Sequence, residues 1–234
     1  FYDHIRRDEK YRLDEEAYIR ARVFDILIGD FDRHLDQWRW AETEKEDGTH
    51  VFTPIPRDRD QVFSNFDGSL FNTIRTLSSF PKIYQSYGAD IDYMEWYSFN
   101  AHPLDRSLLR NKGKDEWLKQ AKFIQNNINK TTIDKAFAKM PEEVRGQAND
   151  ELKQTLLDRK DNLANLISKY YDMISKYVLI QATDKDDYID VYRLENGKTK
   201  VEIYRNKGGD REDRISQRSF DEDITKEVWI YGLD

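Results

Sequence analysis

The stretch Ala21–Trp40, ARVFDILIGDFDRHLDQWRW, opens as an apolar run and ends in Asp30, Asp32, Arg33, His34, Asp36 and Gln37. Its first half continues a pattern that starts upstream. Leu13, Ala17, Ala21, Phe24 and Ile28 recur at spacings of three and four, which predicts the apolar face of a helix. Asp14, Glu15, Arg20 and Arg22 are then expected on the opposite, solvated face. Gly29 adopts left-handed backbone at little cost, so the helix is expected to stop there and the acids to lie in a loop.

Outward from that loop, Gln37–Glu42 places Trp38 and Trp40 on one side at period two. His50–Ile55 reads as a second strand after the turn-forming Glu46-Asp47-Gly48. Arms of similar length return the chain to its starting level. The loop holding Asp32 is therefore expected to approach Thr53–Phe63, TPIPRDRDQVF, which carries Asp58 and Asp60.

The chain of 234 residues is long enough to bury a real core as one large or two small domains. With 38% hydrophobic, 13% aromatic and 35% charged residues it reads as a folded protein with a strongly charged surface. A net charge of −7 argues against a broad face for nucleic acid. No cysteine is present, so neither disulfides nor thiol chemistry are expected, and the compartment stays open. No run of 18 apolar residues occurs, so no membrane span is expected. The chain opens on Phe1 rather than Met, which predicts a processed product or excised fragment with part of any active site upstream.

Beyond the two acid clusters, residues 67 to 110 are rich in aromatics and breakers, and Asp67-Gly68 reads as a turn. Asp115 is expected to cap a helix over Glu116–Ile128, Thr132 a short helix through Phe137, and Pro141 a further turn. A long amphipathic helix is expected from Asp150 to Tyr177, interrupted around Asp158–Asn162. Five strands follow, at Val178–Ala182, Tyr188–Leu194, Thr199–Tyr204, Ile215–Phe220 and Glu227–Tyr231, with Asn196-Gly197 as a hairpin turn. The expected class is α+β: a mainly helical domain over residues 1–177 with a hairpin at the acid loop, then a small antiparallel β-domain over 178–234.

Phosphoryl transfer needs a carboxylate to accept the proton of an attacking hydroxyl, a nearby polar metal ligand, and a second acid across a short connection. Asp32, Gln37 and Asp58 or Asp60 offer those groups in that order. The competing reading is a surface network in which the acids pair with Arg33, Arg39, Arg57 and Arg59, each exposed pair contributing about 0–1 kcal/mol. His4, His34, His50 and His102 lack short metal-ligand spacing. Asp184, Asp186 and Asp187 read as a solvated turn, and Asp105-Arg106 as an ion pair holding a loop.

GDFDRHLDQW resembles the catalytic loop of atypical kinase-like folds, among them phosphoinositide lipid kinases (DRHxxN), HipA-type kinases (DxHxxN), secretory-pathway protein kinases (DRHxxE) and CotH-type kinases. The resemblance implies Asp32 as catalytic base and Gln37 as a metal ligand. IPRDRDQVF then resembles the metal-binding segment, with Asp58 or Asp60 as ligand. Asp30, Arg33, His34, Asp36 and Arg57 would support the loop. Mg or Mn with ATP is the implied cofactor, a nucleotide and an acceptor the implied partners. Gln37 stands where the family has Asn or Glu. No Gly-rich loop or strand-borne lysine precedes the helix, so the resemblance covers a carboxy-terminal lobe.

The whole chain also resembles a region of large Gram-negative envelope proteins, in which IPRDRDQ-type segments follow a calcineurin-like phosphoesterase domain and precede an outer-membrane β-barrel. That resemblance implies a periplasmic or outer-membrane-associated domain with neighbours in a longer chain, a cytoplasmic one staying open. Two further functions fit the same acids: a non-catalytic interaction module of such a protein, and a metal-dependent phosphohydrolase.

Overall fold

A short helix, Tyr2–Arg7 (α1), and a three-residue strand, Tyr11–Leu13 (β1), precede the helix expected from the apolar spacing. The computed structural model describes residues 1–66, 68, 74, 80–109 and 112–232; Asp67, and with it the expected Asp67-Gly68 turn, lies outside them. Glu15–Ile28 (α2) starts at Asp14, whose side chain accepts the Ala17 amide at 3.0 Å. Gly29 ends it with φ 82°, in the left-handed region. A single 3-10 turn, Leu35–Gln37, leads into the hairpin Trp38–Glu44 (β2) and His50–Pro56 (β3).

The hairpin pairs antiparallel from Trp38 opposite Pro56 to Glu44 opposite His50. β1 adds to β3 in parallel, giving the order β1-β3-β2. The chain therefore leaves the small sheet through α2 and returns to it after the acid loop, so both ends of that loop are anchored.

The helical part continues through Met94–Tyr97 (α3), His102–Leu108 (α4), Lys114–Asn127 (α5), Lys130–Phe137 (α6), Gln147–Asp161 (α7) and Leu163–Ile174 (α8). Two caps differ from the expected ones. Gly113, not Asp115, precedes α5, with Glu116 Oε2 accepting its amide at 3.0 Å, and Asn129 caps α6 by accepting the Thr132 amide. The long carboxy-terminal helix divides at Asn162, within the interval where its pattern breaks. In α8, Leu163, Leu166, Ile167, Tyr170 and Ile174 are buried at helical spacing and meet α2 and α5 in one core with Tyr18, Ile26, Leu27 and Trp117. Each fully buried aliphatic side chain there contributes roughly 1.5–3 kcal/mol.

The face that α2 buries is rotated from the expected one. Tyr18, Ile19, Arg22, Val23, Asp25, Ile26 and Leu27 are buried, whereas Ala17, Ala21 and Phe24 are half-exposed. Arg22 is thus inside, not solvated. Its charge is tolerated because two carboxylates face it there.

From Tyr177 the chain is all strand. Tyr177–Gln181 (β4) pairs in parallel with the last described strand, Glu227–Tyr231 (β8). Asp187–Arg193 (β5), Lys198–Lys207 (β6) and Asp210–Asp221 (β7) form an antiparallel meander. The antiparallel meander is as expected from the hairpin signals; the parallel β4–β8 pair is not visible in them. Asn196 and Gly197 turn between β5 and β6 at φ 57° and 69°. Val178, Ile180, Val201, Ile203 and Phe220 make a second, smaller core. Asp187 is not part of a solvated turn: its side chain is buried, pairs with Arg205 at 2.9 Å and accepts from Thr183. The class is α+β, with three small sheets and, among the described residues, eight helices.

Candidate functional site

Arg33 is wholly buried, and its guanidinium joins three segments of chain. Nε donates to Asp25 Oδ2 on α2 at 2.9 Å, and Nη2 donates to Asp30 Oδ2 in the loop at 2.5 Å. Nη1 donates to the Arg57 carbonyl beyond β3 and, at 3.4 Å, to the Gln37 carbonyl. The Arg57 amide donates back to the Gln37 carbonyl at 2.8 Å. Five donors in a fixed plane suit this task, which an ammonium group could not match. The two acid clusters are brought together here, at Gln37 and Arg57.

Behind Arg33 runs a buried polar network. Asp25 accepts from Arg22 Nη1 at 3.0 Å and from Arg59 Nε at 3.0 Å as well as from Arg33. Arg22 Nε reaches Asp105 at 3.0 Å, and Asp105 also accepts the Tyr18 hydroxyl at 2.6 Å and the Tyr170 hydroxyl. Burial, reinforced by the Asp105 carboxylate, pushes both tyrosine hydroxyls far above their usual range, so both act as fixed donors. Asp105 therefore pairs with Arg22 rather than with Arg106, which instead caps α8 through the Ile174 carbonyl at 3.0 Å. The expected surface salt-bridge network exists in part, but at Asp25, Asp30 and Arg33 it lies inside. A buried charge with every partner in place is worth far more than a surface pair when one member is removed.

The site residues read from sequence divide into two groups. Asp30, Arg33 and Gln37 are buried, at 2%, 0% and 5% exposure, and belong to this tie. Asp32 points elsewhere: its Oδ1 accepts from Asn100 Nδ2 at 2.7 Å. His34 Nδ1 accepts the Asp36 amide at 3.3 Å and so starts the 3-10 turn, leaving the Asp36 side chain exposed. Asp58 and Asp60 are exposed, and neither carboxylate has an ion pair or hydrogen bond among the described residues. Asp58 adopts φ 55°, turning the chain sharply after β3. Between these two acids, Arg59 bends back to Asp25 across the Phe24 ring.

Three residues central to this geometry have no local sequence signal. Asn100 comes from 68 positions away. Arg22 and Asp25 look like ordinary charged positions on an amphipathic helix. Only their i, i+3 spacing, which aligns opposite charges on one face, hints at a pair.

Two oxygens in the loop are buried without a hydrogen-bond partner, Gln37 Oε1 and Asp30 Oδ1. Such oxygens are costly unless something not belonging to the chain meets them. Burial and the neighbouring Asp25 carboxylate push Asp30 up to about 6, against the pull of Arg33 and Arg22. Asp30 is therefore a poor cation ligand at lower pH, while Gln37 offers a neutral carbonyl oxygen at any pH. Among the described residues, no group of three or more His, Cys, Asp or Glu is arranged to hold a metal ion. The donor set is all oxygen, which suits a hard divalent cation that takes most of its ligands from water and phosphate.

Two larger cavities flank the molecule. One of about 990 Å³ lies between β1 and the meander, walled by residues such as Glu9, Arg12, Arg205 and Arg214, and none of the acid-loop residues lines it. The other, about 630 Å³, has Leu35 and Asn100 in its lining and so adjoins the acid loop. No helix among the described residues is long and apolar enough to cross a membrane. No protein-family model, no curated protein and no solved structure matches the chain, so the reading of the site rests on its own residues.

Proposed function

We propose that the loop from Asp30 to Gln37, with Arg57–Asp60, is the phosphotransfer site of a kinase-like module. Two observations support this reading: Gln37 Oε1 is buried without a hydrogen-bond partner, and the carboxylate of Asp32, five residues earlier, is half-exposed and oriented by Asn100. Gln37 and Asp58, with Asp60 alongside, would hold Mg or Mn with ATP, and the cation would neutralise the phosphate charge. Asp32 accepts the proton of the attacking hydroxyl through its free oxygen, while Asn100 holds the other. Arg33 fixes the loop against the end of β3, so Asp32 need not reorganise when the substrate arrives. A nucleotide and a hydroxyl acceptor would be the partners on this reading; neighbouring domains of a longer chain and a periplasmic or outer-membrane-associated placement belong instead to the resemblance to envelope proteins, a cytoplasmic one staying open.

The test is metal-dependent binding of ATP and transfer of its terminal phosphoryl group by the full-length polypeptide. Asp32→Asn is expected to lower transfer by about 10²–10⁴-fold while binding persists. Asp58→Asn is expected to weaken the metal dependence. If neither variant changes binding or transfer, the assignment is wrong.

A second reading is favoured by the complete pairing of Asp25 and Arg33: a non-catalytic module that keeps the acid loop for rigidity. It predicts lower melting temperatures for Arg33 variants and no phosphoryl transfer in any longer form of the chain.

A further inference from the structure

Arg159, near the end of α7, is 1% exposed, and among the described residues no carboxylate forms an ion pair with it. Its Nε donates to the Ile26 carbonyl in the last turn of α2 at 2.9 Å, and its Nη1 to the Gly88 carbonyl at 2.8 Å. Nη2 is buried without a hydrogen-bond partner. The rings of Tyr87 and Tyr97 flank the guanidinium at 4.8 and 5.7 Å. All these partners are neutral, and the carboxy-terminal end of α2 supplies only about half a negative charge. A guanidinium cannot shed its proton, so part of a buried positive charge is left unmatched.

Tyr97 ends α3, is 4% exposed, and its hydroxyl also lacks a partner. Burial pushes that hydroxyl up to about 12, against the pull of Arg159, so it keeps its proton and can donate it. Both residues line a cavity of about 10 Å³ beside Gly29, which is room for one water-sized species. The other polar side chains of its wall are engaged. Asp90 accepts the Ile91 amide at 2.8 Å and Lys169 at 3.1 Å, and Gln85 Oε1 accepts the Tyr93 amide at 3.0 Å. Ser86 accepts the Phe66 amide at 2.8 Å, and Ser64 donates to the Gln61 carbonyl at 2.6 Å.

We propose that this cavity binds one small monovalent anion, of the class of chloride, held between Arg159 Nη2 and the Tyr97 hydroxyl. Two free donors beside an unmatched cation select an acceptor that carries charge. A water molecule could accept from both groups, but it would leave the guanidinium unbalanced. A carboxylate or phosphate exceeds the room. The buried charges agree: the guanidiniums of Arg22, Arg33, Arg159 and the half-buried Arg59 face only Asp25, Asp30 and Asp105, and one anion completes the set. The bound ion would tie α7 and α3 to the end of α2, next to the glycine from which the acid loop departs. This site does not depend on the phosphotransfer reading.

Thermal unfolding of the intact chain tests this, with sodium chloride replacing sodium gluconate at constant ionic strength, since gluconate is too large for the cavity. The melting temperature is expected to rise saturably, by about 2–4 °C when chloride reaches about ten times its dissociation constant. Tyr97→Phe removes a hydroxyl that has no partner in the chain, so the fold should persist while the apparent chloride affinity falls about fivefold or more. Arg159→Met should abolish the chloride response; if that variant does not fold, Tyr97→Phe decides alone. Crystals soaked in sodium bromide should show an anomalous peak at hydrogen-bonding distance from Arg159 Nη2 and the Tyr97 hydroxyl. The proposal is overturned if chloride and gluconate give the same melting temperature, or if Tyr97→Phe keeps the full chloride response. A water in place of bromide overturns it too, as does a bromide peak with no chloride effect in solution, which would mark an adventitious ion only.

Discussion

Asn100 Nδ2 donates to Asp32 Oδ1 at 2.7 Å, joining the turn that precedes α4 to the centre of the acid loop. One carboxylate oxygen is thereby occupied; on the phosphotransfer proposal the other accepts the hydroxyl proton. Replacing Asn100 by Ala is expected to lower phosphoryl transfer on the order of 10–100-fold through misplacement of Asp32. Nucleotide affinity should stay within twofold. Steady-state kinetics on the full-length polypeptide would check the split; a change in affinity with an unchanged rate would refute the role assigned to Asn100.

Arg33→Ala leaves Asp25 and Asp30 short of a buried counter-charge and frees the Arg57 carbonyl. The expected loss of stability is about 3–5 kcal/mol, measured by urea unfolding. Arg33→Lys should restore only part of it, because one ammonium cannot span Asp25, Asp30 and the Arg57 carbonyl together. Full rescue by Lys would mean that charge alone, without geometry, holds the loop.

Asp30 gives a pH dependence of defined sign. Its folded value, raised to about 6 from 3.8, means that the folded state binds the proton more tightly than the unfolded chain. The stabilisation this provides is complete below about pH 4 and is lost as pH rises through about 6. Glu9, Asp47 and Asp90 are held low by hydrogen bonds and basic neighbours, and act in the opposite direction. Comparison with Asp30→Asn cancels them. The advantage of wild type over the variant should shrink by on the order of 1–3 kcal/mol between pH 4 and 7. An advantage that grows over that interval would contradict the raised value.

Gly29→Ala is expected to be destabilising for two reasons. Its φ of 82° strains any L side chain, and an added Cβ would lie 2.6 Å from Tyr87 Cδ2. Tyr87 has little room to move, since its hydroxyl is bonded to the Leu27 carbonyl at 2.9 Å. A cost of about 1–3 kcal/mol corresponds to a melting temperature several degrees lower. An unchanged melting curve would show that Tyr87 gives way freely.

Much of this architecture was legible where the signal is local. Gly29 stops α2, the hairpin arms match in length, and the strands after Tyr177 follow turn residues such as Asn196-Gly197. Those elements depend on neighbours in sequence. β1 was not legible: three residues carry no period, and their partner β3 lies nearly forty positions on. The parallel β4–β8 pair escaped for the same reason. The burial of Arg22 was missed because a charge reads as solvent-facing until its partner is known, and Asp105 is 83 positions away. In the acid loop, spacing identified the two clusters and the hairpin that joins them. It did not show that Asp30 and Arg33 belong to the interior while Asp58 and Asp60 face water.

The fastening of the loop by Arg33 also bears on how the protein opens. Residues 30–34 form no helix or strand, and irregular segments near a surface ordinarily exchange their amide hydrogens by local fluctuation. Here the guanidinium makes loop, helix and strand end a single cooperative unit. The Gln37 and Arg57 amides, though at the edge of irregular chain, should exchange only when α2 itself lets go, so their protection would report global unfolding rather than local breathing.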